Sequence, residues 1–209
     1  MSSVKSKYTI VEAHSAEARL TALGLSKDGI LTIRDVAHGY RLDAGPLMAA
    51  NAPGSLAYHF GVESMRQQYI GSIWRLDRDG GLEGIVNINT GVKVCFQNID
   101  VACDPLTEPK PISEKGAGAE RACQGNLFAK AGVAVPPKPT PIGARSAIYF
   151  VMVDQKGGVE VSRPIVAEKK FIDFVERIFV SDGSDFGKIE LDATPPQPAD
   201  EFDVTISRR

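Results

Sequence analysis

No apolar run in these 209 residues approaches the ~20 consecutive residues that a helical membrane span requires. The first fifteen residues, MSSVKSKYTIVEAHS, start basic but carry no apolar stretch of signal-peptide length. Cysteine is scarce, with Cys95, Cys103 and Cys123 alone. An odd number at these spacings fits neither a disulfide framework nor a zinc ribbon. Reduced thiols and a cytoplasmic location are therefore expected. Histidine is equally scarce, and there is no H-x-x-x-H, C-x-x-C or H-E-x-x-H. No metal and no cofactor is expected on that ground. There is also no G-x-S-x-G elbow, which removes the best-marked hydrolase signature. Nor is there an excess of positive charge: the formal net charge is -2. A nucleic-acid partner stays open but has no electrostatic support, and no membrane partner is expected.

The chain nevertheless has the means to build a core. Hydrophobic residues make up 43% and charged residues 24%, the balance of an ordinary globular domain. Tyr8–Val11 reads as a short strand. Ser15, AEARLTAL and Gly24 predict a helix with a serine start and a glycine stop. Ser26 predicts the cap of a second helix that ends near His38 and Gly39, although ILTIRDV has strand character too. Residues 43–57 read as a loop, and Val62 to about Ile70 as a helix. Three antiparallel strands are expected at about 72–77, 82–88 and 92–102, with Asp79-Gly80 turning the first pair. In the third, Val92, Val94 and Phe96 alternate with Lys93, Cys95 and Gln97, which predicts a sheet covered on one side.

Residues 104–145 differ in character, with seven prolines and five glycines. The ends of this segment should be extended. Its middle, about 117–131, has the apolar content for a short helix. Ala147 onwards gives a second hairpin, IYFVMVD and VEVSRPIVA about Gly157-Gly158. In KKFIDFVERIFV, Phe171, Phe174, Val175 and Ile178 have helical spacing, so 169–180 is expected to be an amphipathic helix. KIEL and FDVTI (202–206) are expected as short strands.

The fold class expected is α+β: antiparallel hairpins in a meander, a few packed helices and a long Pro/Gly-rich central segment. One domain over 1–209 is preferred to two lobes, 1–103 and 146–209. Candidate catalytic residues are His38, Asp43 and His59, because an imidazole beside a carboxylate can form a base and its orienting partner. Asp77, Asp79 and Glu83 lack the further oxygens of a calcium loop. Lys115-Gly116-Ala117-Gly118 has the glycines of an anion cradle but no feeding strand. Residues 18–40 have a faint helix-turn-helix outline, in which the candidate recognition helix offers only Lys27, Arg34 and, just beyond, Arg41 as cations. PPKPTP, 136–141, suits a stiff linker or a polyproline II arm.

The functional expectation that follows is a non-enzymatic binding or accessory protein. It would engage a protein partner, or a second copy of itself, through loops and the central segment. Lys115, Arg121, Phe128, Lys138 and Arg145 are its candidate contact residues. The alternative is a small hydrolase or transferase with a His/Asp site within residues 38–69.

Overall fold

A computed structural model describes residues 8–123 and 147–186. One seven-stranded mixed sheet organises them, in the order β1-β7-β6-β5-β4-β3-β2. The strands are β1 (Thr9–Val11), β2 (Trp74–Asp77), β3 (Gly84–Asn87), β4 (Lys93–Asn98), β5 (Ile148–Val153), β6 (Val159–Ala167) and β7 (Lys170–Ser181). β1 runs parallel to β7 and β4 parallel to β5, and every other neighbouring pair is antiparallel. The fold is thus α+β, with the expected meander over β2, β3 and β4 and a hairpin of β5 with β6. The turn between β5 and β6 uses Gly157 at φ 86°, a backbone angle that side chains with a Cβ resist.

Three helices cover one face: α1 (Ala16–Leu23), α2 (Lys27–Leu42) and α3 (Ala52–Tyr69). The Ser26 hydroxyl accepts from the Gly29 amide, 3.2 Å, and so caps α2. Gly24 ends α1 at φ 80°. Ser15 precedes α1 but its side chain makes no cap bond. Leu20, Ile30, Ile33, Ala57, Val62 and Met65 pack with Val94, Phe96, Tyr149, Val151, Val161 and Ile178 of the sheet.

The opposite face is also covered, which corrects the expectation of a sheet buried on one side. Every residue of β4 and β5 is buried. Residues 99–116 and α4 (Ala117–Ala122) cross over Cys95, Ile148, Phe150 and Met152, with Phe171 and Phe174 beside them. Buried polar groups on this face meet partners. The Lys93 ammonium donates to Asp77 Oδ1 (3.0 Å) and to the carbonyls of Asp79 and Leu82 (2.9 and 2.7 Å). Asp77, weighed above as an ion ligand, is therefore the counter-ion of a lysine.

Three element boundaries differ from expectation. α2 continues past Gly39 to Leu42, since its buried stripe of Ile30, Ile33, Ala37 and His38 keeps helical spacing against the sheet. α3 begins at Ala52, with Pro53 in its first turn where a missing amide costs nothing, so the loop expected over 43–57 ends at Asn51. Residues 170–181 form β7, not a helix. The register of β7 against β6 pairs Arg163 with Glu176, Pro164 with Phe174, Ile165 with Asp173 and Val166 with Phe171, skipping Val175 and Ile172. Each skipped residue is a β-bulge that resets the inward alternation. Phe171 and Phe174 reach the same core three residues apart, a spacing that imitates a helix. α4 occupies the start of the helix expected at 117–131. The remainder of that helix, PPKPTP, and the strands expected in KIEL and FDVTI lie outside the described residues.

Candidate functional site

β4 supplies the site by alternation. Its even residues, Val94 and Phe96, enter the helical core, so Lys93, Cys95 and Gln97 point to the opposite face. The chain leaves β4, turns, and folds back antiparallel across its end. Ile99 bridges Pro111, and the Ile112 amide donates to the Asn98 carbonyl, 3.1 Å. Three residues later the Lys115 amide donates to the Lys169 carbonyl at the β6–β7 turn, 2.9 Å. These two bonds pin Ser113–Gly116 over the sheet and direct the Lys115 side chain inward.

The result is a pair of adjoining clefts that share Tyr58, Gln97 and Ser113. The inner one encloses about 190 Å³ and is lined by Tyr58, Leu82, Glu83, Cys95, Lys115 and Phe150, among others. The outer one encloses about 330 Å³ between Asn51, Ser55 and His59 on one side and Ile112 on the other. Apolar walls with a few converging polar groups are the common make-up of small-molecule sites.

Lys115 is the unusual group. It is 7% exposed, and its ammonium is hydrogen-bonded to Gln97 Oε1. It also lies 4.7 Å from the centre of the Phe150 ring and 5.3 Å from that of Phe171. Among the described residues no carboxylate pairs with it. Burial therefore pushes its pKa down to about 8, against smaller opposing effects of Cys95 and Cys123. Lys93 on the same face has three oxygen acceptors, as above, and is a saturated structural cation.

The rest of the cleft has complementary protonation. Burial raises the Tyr58 phenol, helped by Cys95 and Glu83, so it stays a proton donor. Glu83 is held below the usual carboxylate range, chiefly by its hydrogen bond from Arg66 and further by Arg78, so it stays charged. Burial pushes the Cys123 thiol up to about 12.

Of the residues singled out from the sequence, His59 and Lys115 come to the adjoining clefts. His59 is exposed on α3 with its ring edge-on to Tyr58, 5.8 Å between centres. His38 lies elsewhere: its Nε2 is 3.2 Å from the Gln155 carbonyl and its ring is 4.1 Å from Phe186. Asp43 is the exposed C-cap of α2. No hydrogen bond or ion pair joins His38, Asp43 and His59 to one another among the described residues. Arg121 is exposed on α4, whereas Phe128, Lys138 and Arg145 lie outside the described residues. Arg34 and Arg41, two of the three cations named for the recognition helix, are engaged internally, with Asp185 (2.8 Å) and Asn98 (2.8 Å). Gly118 packs against the Gly80 backbone, which fills the space an anion cradle would need.

Tyr58, Cys95, Gln97 and Ser113 were not singled out as site residues, and Glu83 was weighed only as an ion ligand. The alternation Lys93, Cys95, Gln97 marks a polar face of β4, but nothing local shows that later chain returns to cover it.

A larger cavity, about 450 Å³, lies between the start of α2 and the end of β7, with Glu12, Lys27, Asp182 and Asp185 on its rim. Its one thiol, Cys103, is pushed up to about 12, mainly by burial. Comparison of the chain with protein-family models, with characterised proteins and with solved structures finds no match.

Proposed function

We propose that this protein binds a small molecule in the paired clefts between α3 and residues 112–116. The observation that supports this is the Lys115 amine, held at the wall of the inner cleft with no carboxylate partner among the described residues. A lysine kept only for stability would be better matched by the oxygen cage that holds Lys93. The volume and the walls suit a short, mainly apolar ligand with one polar head. Phe150, Leu82 and Ala119 would bury its body, and Gln97, Ser113 and Lys115 would receive its head.

Titration of the labelled full chain with butan-1-ol, followed by amide NMR, tests the reading. Saturable shifts confined to residues 54–59, 95–98 and 112–119 are expected. Ser113→Trp, a change at an exposed position on the rim both clefts share, should abolish them while leaving the rest of the spectrum in place. Shifts that spread without saturating would overturn the proposal.

Exposed apolar residues support a second reading, docking of a protein partner or a second copy. Leu47 and Leu106 are 99% and 93% exposed, and Leu42 and Met48 are exposed near Leu47 in sequence. Sedimentation of the wild type and of Leu47→Asp would separate self-association from a monomer. A concentration-dependent mass lost in the variant supports it, and a monomer at every concentration removes the self-associating form.

A further inference from the structure

We infer that Lys115 is a nucleophilic amine that forms an imine with a small aldehyde or ketone held in the inner cleft. The inference rests on the binding proposal above and adds a covalent step and a substrate class to it.

Geometry carries it. A nucleophilic amine must be reachable, must shed its proton, and must face a space where a carbonyl carbon can sit. The Lys115 side chain lines a cleft of about 190 Å³ with room for a ligand of a few carbons. Among the described residues, groups from several elements surround it. Cys95 and Gln97 come from β4, Phe150 from β5, Phe171 from β7 and Cys123 from the end of α4. Tyr58 and Glu83 line the same cleft. Two carboxylates line the cleft: Glu83 is bonded to Arg66 and Arg78, and Glu114 pairs with Lys169, 3.3 Å, so each already has a cationic partner. The amide oxygen of Gln97 can accept from the neutral amine as well as from the ammonium, though more weakly, and it is no carboxylate to hold the proton in place; the neutral amine then keeps its lone pair. Lys93 fails the same conditions, since all three of its donors are spent on oxygens inside a closed shell.

The step balances without a co-reactant. The lone pair of Nζ forms the C–N bond, and one proton shed by nitrogen moves to the former carbonyl oxygen, giving a carbinolamine. Its hydroxyl takes a second proton from an acid in the cleft and leaves as water as the C–O bond breaks, and the remaining N–H proton returns to that acid, giving, from an aldehyde, R–CH=N–Lys115 with no change of oxidation state. Tyr58 lines the same cleft and keeps its proton, and so can serve as that acid.

Burial bears on the rate. At pH 7.5 an amine with a pKa of about 8 has a neutral fraction roughly two orders of magnitude above that of an ordinary lysine. Its lower basicity takes back part of this, leaving an excess in reactivity of about tenfold.

Reductive trapping tests the inference. The full chain is incubated with butanal and cyanoborohydride at pH 7.5, digested, and mapped by mass spectrometry. Butyl label on Lys115 about tenfold above the average of the other lysines is expected, and pre-loading with butan-1-ol should lower it. The labelling rate should level off above pH 8, where surface lysines continue to rise. Lys115→Arg should lose the label at this position with its circular dichroism unchanged. The wild-type map needs no variant, so a folding defect would not obscure the result. Even labelling of all lysines, or a Lys115 rate still climbing to pH 10, overturns the imine. If butan-1-ol still gives saturable shifts in the cleft, the binding proposal survives that outcome. If it does not, both fall.

Discussion

Arg177 and Glu160 face each other across β6 and β7 with both side chains 0% exposed, joined at 2.6 and 2.9 Å. The pair does more than neutralise itself. Arg177 also donates to the carbonyls of Asp104 and Thr107 (2.9 and 3.1 Å), and Glu160 accepts from the Cys103 amide (2.8 Å) and the Ser162 hydroxyl (2.7 Å). It ties the first residues of the Pro/Gly-rich segment to the sheet, and so fixes where that segment starts its path toward Lys115. Arg177→Met should lower unfolding free energy by about 3–5 kcal/mol, because it leaves Glu160 charged and buried with only neutral donors. The double variant Arg177→Met, Glu160→Met should be less damaged than the single one. Urea unfolding of the three proteins measures this. A double variant at least as unstable as the single would contradict it.

Gly61 brings α3 onto the sheet. A Cβ placed there would stand 2.5 Å from the Phe96 ring, which is itself buried in the helical core. Gly61→Ala should therefore cost about 1–3 kcal/mol in overpacking. The helix propensity gained, about 1 kcal/mol, offsets only part of it. A lowered urea midpoint is expected, partly restored by Phe96→Leu. A raised midpoint in Gly61→Ala would show that the ring can yield.

What could be read from the sequence was local. Ser26, Gly24 and Gly157 act within a few residues of themselves, and the elements they start or stop are where their chemistry puts them. β7 was misleading because its bulges at Ile172 and Val175, two of three irregularities in its pairing, are set by β6 and not by its own residues. The site was half legible. Lys115 and His59 carry chemistry that draws notice in any sequence. The burial of Lys115 depends on Phe150 and Phe171, 35 and 56 positions further along the chain by sequence number. No pattern around Lys115 itself encodes those contacts, since PISEKGAG is polar and glycine-rich.

Cys103 should be inert in the folded protein. Its backbone has φ 56°, and its sulfur lies 3.2 Å from the carbonyls of Val159 and Ser181. Burial, with Glu160 nearby, pushes the thiol up to about 12. At pH 8 that leaves roughly three orders of magnitude less thiolate than a free cysteine has. Iodoacetamide at pH 8 followed by peptide mapping should modify Cys103 slowly in native buffer and fully in urea. Modification at the free-thiol rate in native buffer would refute the raised thiol of this half-buried cysteine.

Lys115 makes stability depend on pH in a defined direction. Its folded pKa is depressed, to about 8, below the unfolded value of 10.5. Below pH 8 both states carry the proton, and the folded state bears the full cost of a buried ammonium. Between about pH 8 and 10.5 the unfolded chain holds a proton that the folded chain has released, so stability rises with pH across that window. The size of the depression corresponds to a cost on the order of 3 kcal/mol at pH 7, reduced by the aromatic faces of Phe150 and Phe171, which favour the ammonium. Lys115→Met replaces the amine with an apolar chain of similar length and should be more stable than wild type at pH 7. The gap should narrow as pH rises from 8 to 10. Urea midpoints of both proteins across that range give the test. A wild type that loses stability relative to Lys115→Met on going from pH 8 to 10 would mean that the ammonium is the better-accommodated form, which would remove the basis for a nucleophilic amine at this position.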